Sequence, residues 1–522
     1  MLLFGALRRD DIRSPPDPRG ASIGFKSALW GIFALAAALV IGLLASFNFE
    51  LGMASAIGLV VVASSFSLPT FATPVFCFVL YSNLAVIAVK FHGVPLMVGA
   101  LYPTILILPI AHYLIQRRER LVLDPTLALM LIYLAVLIAG ALFSRSVRTA
   151  MATVQEFVLE GVVLYLLVTN VLRDSATFRS VMRSLVLAGL LIAAVPCIQQ
   201  LTGTLDNNYG GLGQVAQDEG FSTGRTTDTG VAITQRRLAG VIGEKNRFAQ
   251  VLLMLLPLLF YRFLGDPSRK WRWLALFASG LLMFALVLAF SRGAAVSFVV
   301  LLLSMMWLRV LRIRHLAVLS ILAALILVLM PGYLKRLGTI AKVASLVTAE
   351  GNAQVDGGMK GRLTEMLAAV YVFGDHPVIG VGPGMFKHYS QEYGNRLGLR
   401  HLEIARQAHS LYLELAAENG ILGLLSFGSI VLITLLQLNR ARKRSASRDP
   451  EMSTIATSLM LGVIAYLASG LFLHMSYVRY FWFLIALCSA AVRIARTAPS
   501  PIQATPSLVP TLSTTPLALP SS

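Results

Sequence analysis

The stretch DPTLALMLIYLAVLIAGALF, residues 124–143, is twenty residues long and carries one charged side chain. A helix needs about 20 apolar residues to cross a hydrocarbon core roughly 30 Å thick. Comparable stretches recur along the 522-residue chain, which is 57% hydrophobic and 13% charged. An ordinary soluble domain carries about 25% charged residues, so this chain has too little polar surface to form a water-soluble globule. We therefore predict an all-α polytopic membrane protein.

The apolar stretches predict about 12 to 14 transmembrane helices. The first follows a basic tail, has no small-residue cleavage site and is succeeded at once by another, so we expect it to be retained rather than cleaved as a signal peptide. Cys77, Cys197 and Cys488 fall inside apolar stretches without zinc spacing, which indicates small core residues. The candidate spans are 28–47, 51–69, 71–90, 95–115, 124–143, 151–171, 180–200, 246–264, 272–290, 293–310, 316–334, 411–438, 454–474 and 479–495.

The net charge of +19 has a distribution that argues against a nucleic-acid partner. Lys and Arg lie in short runs between apolar stretches, a pattern typical of the positive-inside rule. With fourteen spans these runs all fall on one face, which we take as cytoplasmic, with both termini on that face. The runs lie near 8–26, 117–120, 262–272, 309–314 and 440–444.

This topology places two long connections on the outer face, where function is expected because long loops usually carry it. No sizeable cytoplasmic domain and no supported nucleotide-binding motif is present, which argues against ATP as an energy source. The predicted order is a cytoplasmic basic tail 1–26, transmembrane helices 27–200, an outer loop 201–245, transmembrane helices 246–334, a large, partly helical outer loop 335–410, transmembrane helices 411–496 and a disordered cytoplasmic tail 497–522.

Two groups of polar residues border the predicted spans on the outer face. Arg292, followed by Gly293, lies between two apolar stretches, where an arginine is costly unless it faces a cavity or has a partner. The structural alternative is a side chain that extends to the interface. Arg237 and Asn246 belong to a polar cluster where the first outer loop meets the eighth span; capping the following helix is the structural alternative for Asn246.

The large outer loop contains the densest set of candidates. Arg362 precedes an amphipathic stretch, and the segment Asp375-His-Pro-Val-Ile-Gly-Val-Gly-Pro-Gly384 predicts a tight turn with exposed backbone N–H groups. At Gly382 and Gly384 such groups could bind an anion, although a Gly-Pro-Gly sequence is more often simply a turn.

His409 lies where this loop re-enters the membrane. A histidine there can act as a general base near neutral pH, but a boundary histidine is more often a hydrogen-bonded structural residue. Glu414 and Glu418 follow on one face of the next helix. His376, His388 and His401 lie in the same loop without a recognisable zinc spacing, so we expect no metal and no other cofactor.

Glu156 and Glu160 lie four residues apart among apolar neighbours in the sixth predicted span. Two carboxylates on one face of a membrane helix indicate an inward-facing polar patch. Arg145 and Arg148 nearby could pair with them and make both carboxylates purely structural.

Several of these motifs, taken in order, resemble the O-antigen ligase and polysaccharide polymerase family. The resemblance is specific over about 240–425 and only architectural elsewhere. The sequence departs from the family pattern at Ser410, where Asn is frequent, and at Glu244-Lys245, where Asn-Pro is common. These departures leave the subfamily open. The motifs are Gly240-Val-Ile-Gly-Glu-Lys-Asn246, Ser291-Arg-Gly293, Arg362, His376-Pro-Val-Ile-Gly-Val-Gly-Pro-Gly384, His409-Ser-Leu-Tyr-Leu-Glu414 and Glu418-Asn-Gly-Ile-Leu-Gly423.

The resemblance implies a metal-independent, inverting glycosyltransferase of the type C architecture in the bacterial inner membrane, with its active site facing the periplasm. The donor would be an undecaprenyl-pyrophosphate-linked glycan, and the acceptor a hydroxyl of another glycan or of lipid A-core. The positions that match its essential residues make Arg292, Arg362 and His409 catalytic. Our candidates for substrate binding are Arg237, Asn246, Gly382, Gly384 and Glu414. A chain-length regulator or other polysaccharide assembly proteins are the protein partners that it suggests.

Within this family, long outer loops and no feature that marks a lipid A-core site favour polymerisation over ligation, and both stay open. The alternative from another class is a secondary transporter or flippase of lipid-linked or anionic glycans. The lack of an internal repeat weakens that alternative. A purely structural membrane component leaves the outer Arg and His residues unexplained.

Overall fold

The computed structural model describes residues 69–216, 221–226, 232–311, 357–397, 406–475 and 478–497. The chain divides into two compact units, Met1–Leu68 and Pro69–Ser522, and all described residues belong to the second. The predicted spans 28–47, 51–69 and 316–334 lie almost entirely outside the described residues, as do His401 and nearly all of the tail 497–522.

Sixteen α-helices account for most of the described residues. They are α1 (Pro69–Tyr81), α2 (Leu84–Phe91), α3 (Leu96–Leu101), α4 (Ile107–Ala111), α5 (Pro125–Leu142), α6 (Val147–Phe157), α7 (Leu164–Val171), α8 (Ser175–Thr202), α9 (Lys245–Gly265), α10 (Arg269–Leu288), α11 (Arg292–Trp307), α12 (Gly357–Asp375), α13 (Phe386–Arg396), α14 (Leu411–Ser445), α15 (Pro450–Ser469) and α16 (Val478–Thr497). Helices α12 and α13 make the predicted large loop partly helical, as expected.

Seven of the described helices are long and apolar enough to cross a membrane: α5, the continuous helix Val147–Val171 that contains α6 and α7, α8, α10, α14, α15 and α16. The pair α1 and α2, bent by 58°, makes an eighth if it forms one span. This confirms the prediction of an all-α polytopic membrane protein.

The predicted span 95–115 is not one continuous helix. It consists of α3, a 3-10 turn (Tyr102–Leu106), α4 and a π-helical turn (His112–Gln116). The cause is its proline content: Pro95 lies at its start, and Pro103 and Pro109 lie inside it. Each proline removes a backbone donor and clashes with the preceding helical turn. The apolar composition did not reveal these breaks.

The interior of the bundle is built around α15 and α16. In these two helices 78% and 83% of the apolar window is buried, against 28% in α14. Helix α15 packs against α9, α11, α14 and α16. The mostly uncovered apolar side of α14, which includes Leu425, Leu432 and Leu436, is suited to lipid because hydrocarbon solvates such side chains without cost.

Ion pairs join the helices at the end of the bundle where α8 and α15 begin and α9 ends. Arg262, in α9, lies 2.5 Å from Asp266 and 2.9 Å from Glu451. Arg183 and Arg179, both in α8, reach Asp266 and Glu451 at 3.7 and 3.4 Å. Buried charges persist only when they are paired, so this network holds α8, α9 and α15 in register.

The connection between α8 and α9 packs against the helices at the end of the bundle opposite to this ion-pair network. Strands β1 (Gln214–Val215) and β4 (Leu238–Gly240) pair antiparallel, as do β2 (Phe221–Thr226) and β3 (Ala232–Gln235). The buried Gln199 side chain of α8 donates from Nε2 to the carbonyls of Asn207 and Gly213. These contacts fix the residues that lead into α9.

A turn formed by residues 376–386 connects α12 to α13 and is held by one carboxylate. The Glu418 side chain of α14 accepts the N–H of Gly384 at 2.8 Å and that of Phe386 at 3.0 Å. Glu418 is buried. Hydrogen bonds are stronger in a buried, low-dielectric place than in water, so Glu418 fastens the turn to the membrane helix.

Helix α14 is interrupted where this turn lies against it. Gly420 adopts a left-handed backbone with φ 61°. The interruption frees backbone groups, and the turn provides their partners: the N–H of Ile421 donates to the Pro377 carbonyl at 2.8 Å, and the N–H of Gly382 donates to the Glu418 carbonyl at 2.8 Å. The turn and the break in α14 therefore depend on each other for their backbone hydrogen bonds.

Gly380 is the tightest point of this contact and gives a test of it. Gly380 has φ +68°, and a Cβ there would come within 2.2 Å of the Glu418 carbonyl carbon and 2.4 Å of the Asn419 nitrogen. We expect Gly380→Ala to destabilise the protein by about 3 kcal/mol, through the left-handed backbone and the overpacked contact. Thermal unfolding of the detergent-solubilised protein measures this.

Gly374→Ala is the matched control. Gly374 lies in helix α12, and no atom lies within 4 Å of a Cβ built on it, so the alanine should leave the melting temperature unchanged or raise it slightly. Equal melting temperatures for the two variants would show that the turn is not packed against α14 as described.

Candidate active site

A narrow cleft lies at the end of the bundle where α10 ends and α11 begins. We call it the arginine cleft. Its lining includes Asn246 of α9, Ser291 and Gly293 at the start of α11, Arg362 of α12 and Phe472 after α15. Its open volume is about 10 Å³, room for about one water molecule. In this structure the groups that line the cleft therefore lie close to one another.

The start of α11 gives the cleft a positive character. Arg292, its first residue, is half-buried and lies between two residues that line the cleft. Ser291 caps the helix: its Oγ accepts the N–H of Ala294 at 3.3 Å and donates to Asn246 Oδ1 at 2.9 Å. The N-terminus of a helix carries partial positive charge and is a common place for anions to bind. Arg362 adds a full charge to the same cleft.

Arg237 lies just behind this lining. Its guanidinium donates to the carbonyls of Ala289 and Phe290 at 3.2 and 3.3 Å, and to Asn246 Oδ1 at 3.3 Å. The two carbonyls belong to the C-terminal end of α10, where a cation is favourable. Arg237 thus fixes both the corner that leads to Arg292 and the amide of Asn246.

Asn246 does not cap α9, contrary to the structural alternative considered for it. The N-cap is Glu244, whose carboxylate accepts the N–H groups of Asn246 and Arg247 at 3.0 and 2.7 Å. An ionised carboxylate suits this position better than an amide because it also complements the helix dipole. The Asn246 side chain is thereby free to join Ser291 and Arg237 at the cleft.

His409 adjoins these residues just before α14. It holds a left-handed backbone (φ 51°), and its Nε2 lies 3.2 Å from Oε2 of Glu365. The Glu365 carboxylate favours a protonated ring, but burial and the guanidinium groups of Arg362, Arg247 and Arg406 outweigh it and lower the pKa of His409 to about 4. At neutral pH the ring is therefore uncharged.

Glu365 was not among the sequence-predicted site residues. It is fully buried, and besides His409 it contacts Nη1 of Arg406 at 3.6 Å. It lies one helical turn after Arg362 in α12, and residues three apart share a helix face. That spacing in an amphipathic helix was the available sequence signal. Nothing in the sequence, however, showed that this face meets His409, 44 residues later.

A short segment after α15 separates the arginine cleft from a second cavity. Phe472 and Leu473 line the cleft, whereas His474 and Met475 line the cavity. The rings of His474 and His409 meet edge to face with centroids 6.0 Å apart. Burial, followed by the charges of Arg247 and His409, lowers the pKa of His474 to about 2. Two neutral imidazoles therefore meet at the boundary between the two spaces.

Glu414 lies in the second cavity and not in the arginine cleft. It is buried, as is Glu418 one turn later on the same face of α14. The cavity has a volume of about 370 Å³, within the range of about 300–1,000 Å³ that is usual for small-molecule sites. The predicted substrate-binding residues are thus divided between two adjacent spaces.

The turn glycines bind a residue of the protein itself, Glu418. The N–H groups of Gly382 and Gly384 donate to the backbone carbonyl and the carboxylate of Glu418. Gly384 also lines the second cavity. In this structure the two glycines therefore act by holding Glu418 beside the cavity.

The remaining histidines and carboxylates of interest lie apart from the cleft. His376 packs against Tyr389 with ring centroids 6.0 Å apart, and His388 is exposed. Among the residues that the structure describes, no three His, Cys, Asp or Glu residues are grouped so as to hold a metal ion. Glu160 is paired with Arg479 at 3.3 Å, and Glu156 lines the second cavity.

Neither arginine considered as a partner for Glu156 and Glu160 makes a described ion pair with them. Arg145 instead pairs with Glu392 at 3.4 Å and lies over the Tyr389 ring. The sequence distance was misleading because Arg479 of α16, 319 residues away, is closer in space to Glu160.

Comparison with known proteins finds one family whose model matches part of the chain. Residues 275–428 match the O-antigen ligase family, and this region contains Arg292, Arg362, Glu365, His409 and Glu414. No curated protein matches the chain. Residues 275–428 of this multi-pass membrane protein are therefore similar to the O-antigen ligase family.

Proposed function

We propose that the protein transfers a glycan from undecaprenyl pyrophosphate to a sugar hydroxyl at the periplasmic face of the bacterial inner membrane. The product would be a polymerised surface polysaccharide or a ligated O-antigen. One observation carries the proposal: Arg362, the start of α11 and His409 come from three segments far apart in the chain and meet at one end of the bundle. The basic runs at the other end support a periplasmic position for the site.

The arginine cleft suits the leaving group of this reaction. As the bond between the sugar and pyrophosphate breaks, negative charge grows on the phosphate oxygens. Arginine stays protonated and can bind such oxygens with two parallel hydrogen bonds, and the N-terminus of α11 adds backbone donors. The closed cleft, about 10 Å³ in volume, must widen to admit a pyrophosphate, so donor binding is accompanied by movement of its lining.

His409 is suited to activate the acceptor. In the tautomer that donates its Nε2–H to Glu365, the lone pair lies on Nδ1 and can take the proton of an attacking hydroxyl. The acceptor oxygen bonds to the anomeric carbon from the side opposite the pyrophosphate, which leaves with its bonding electrons and so inverts the configuration. Glu365 orients the ring and stabilises the imidazolium that forms. The neutral ring at pH 7 is a requirement of this role.

Substitution of the cleft cations and the base tests the proposal. We expect Arg292→Ala and Arg362→Ala to lower the rate of glycan transfer about 10²–10³-fold through lost charge stabilisation, and His409→Ala to lower it about 10²–10⁴-fold. The measurement is glycan transfer from a lipid-linked donor by the protein purified and reconstituted in liposomes.

Arg396→Ala is the control, because Arg396 is exposed on α13 and pairs with Glu392 at the surface. It should keep wild-type activity. Full activity of His409→Ala would refute the proposed mechanism. Glycan movement across vesicles that contain no acceptor would instead favour the transporter alternative.

Glu365→Gln tests whether the buried carboxylate positions the base. We expect the turnover rate to fall about 10²-fold or more, because the amide no longer selects one tautomer or stabilises the imidazolium. The acceptor KM should stay nearly unchanged. Loss of the negative charge should also lower the pKa of His409 further, so the acidic limb of the pH–rate profile moves to lower pH.

The wild-type profile follows from the same pKa. Because the base works only when neutral, transfer should persist through mildly acidic pH and decline as pH falls towards 4. Glu392→Gln is the matched control for Glu365→Gln, because Glu392 is a glutamate exposed at the surface. A Glu365→Gln variant that is less stable but has the wild-type pH profile would show a merely structural role.

A further inference from the structure

From position 363 to position 374, helix α12 buries its polar side chains and exposes apolar and aromatic ones. Thr364 and Glu365 are fully buried, and Glu365 is the only charged residue in this stretch. On the opposite face, Val370 and Tyr371 are 46% and 57% exposed. A helix that lies in water has the reverse arrangement, with its apolar side towards the core. The half-buried residues of the stretch are likewise apolar: Leu363, Met366, Leu367 and Phe373.

Val378, in the turn that follows α12, is also exposed, at 57%. We call Val370, Tyr371 and Val378 the outward face. We propose that this face is seated in the lipid bilayer, in the leaflet at its own end of the bundle, against phospholipid where the acyl chains meet the head groups. This places in the membrane surface a segment that the sequence predicts as part of an outer loop. It goes beyond the proposed function because it makes no use of the transfer reaction.

The first support is the level of this face along α14. The N–H of Leu422 donates to the Val378 carbonyl at 3.3 Å, which fixes the turn at this point of the helix. The basic run at the other end of α14 begins at Arg440, 18 residues later. At 1.5 Å per residue these residues span roughly 27 Å, close to the thickness of the hydrocarbon core. Because such basic runs lie at the head groups on one side of the membrane, Val378 lies near the head groups on the other side.

The second support is the apolar surface on both sides of the turn. The carbonyl oxygen of Ile379 lies against Gly140 of α5, 3.4 Å from the position of a Cβ there. Helix α5 continues outward past this contact, and Leu142 and Phe143 at its end are exposed. Leu422 of α14 is exposed as well. The outward face therefore adjoins the apolar surfaces of two helices that are long enough to cross a membrane.

The third support is the chemistry of the face itself. Removing apolar surface from water stabilises a protein by about 25 cal/mol per Å², and hydrocarbon covers such surface without a protein partner. A tyrosine such as Tyr371 is typical of the membrane interface, where its ring lies in apolar surroundings and its hydroxyl reaches the head groups. Arg362 and Glu365 belong to the same helix, so seating this face also fixes the depth at which they lie. A phosphate attached to a lipid tail lies at the same depth, beside the head groups.

Fluorescence of the full-length protein in lipid tests the proposal. Val370→Cys and Val378→Cys are labelled with nitrobenzoxadiazole and reconstituted in vesicles of phosphatidylethanolamine and phosphatidylglycerol. Cys77, Cys197 and Cys488 are buried, and the unsubstituted protein measures any labelling of them. We expect lipids with a nitroxide near the top of the acyl chain to lower the fluorescence of both labels at least about twofold, because hydrocarbon begins at this level. The emission of both should lie at shorter wavelength than in water.

Glu392→Cys is the matched control, because Glu392 is exposed on α13, the helix that follows the same turn. Its label should emit as in water and be quenched by iodide in solution but not by nitroxide lipids. All three variants replace exposed side chains, so their melting temperatures should stay close to that of the wild type.

Two outcomes would overturn the proposal. Labels at Val370 and Val378 that behave like the control would show that the face lies in water. Labels that neither quencher reaches would show that another part of this chain, or a second copy of it, covers the face. Since neither donor nor acceptor is present, both outcomes leave the proposed function standing.

Discussion

The Glu418 carboxylate, buried in α14 and bonded to the N–H groups of Gly384 and Phe386, is the contact on which the arrangement of the site depends. It fastens a segment from outside the bundle to a helix suited to cross the membrane. Because α12 ends directly before this turn, the contact also sets where Arg362 and Glu365 lie. His409 precedes the same helix that carries Glu418, so one interaction fixes both the candidate base and its carboxylate partner.

The break at Gly420 completes this arrangement. An unbroken α14 would keep its N–H groups for itself and offer nothing to the Pro377 carbonyl. Polar backbone at membrane depth is tolerated only where protein or a water-filled space satisfies it. The turn provides hydrogen-bond partners for this backbone. The polar face of the helix, with Glu414 and Glu418, lines a cavity rather than facing lipid.

The sequence allowed the membrane class and most of the long helices to be predicted, whereas the roles of Arg292, Arg362 and His409 stay predictions. Apolar stretches such as 124–143 specify a helix with little ambiguity, because hydrocarbon permits few other backbones. The prediction of one continuous span was wrong at 95–115, where Pro103 and Pro109 lie inside an equally apolar stretch. The sequence also offered Asn246 as an alternative cap of α9, but the cap is Glu244. Local composition indicates a membrane segment, whereas helix breaks and caps depend on single positions.

Glu365 and the pairing of Glu160 with Arg479 could not be predicted for a different reason. Both depend on which faces of distant helices meet, and a sequence periodicity gives the face of a helix but not its neighbour. Arg362 could be found because the resemblance names it, while Glu365, one turn away and fully buried, carries no distinguishing pattern in a single sequence. The same limit applies to the cavity, whose lining comes from α5, α6, the turn and α14.

The two histidines meet where the arginine cleft and the cavity adjoin. Arg362 and the start of α11 give the cleft a positive potential. A protonated imidazole at this boundary would add to the positive charge already present, and burial together with that charge lowers the pKa values of His409 and His474. Under the proposed function, the cations that stabilise the leaving pyrophosphate therefore also help to keep the base uncharged until it takes the proton of the acceptor.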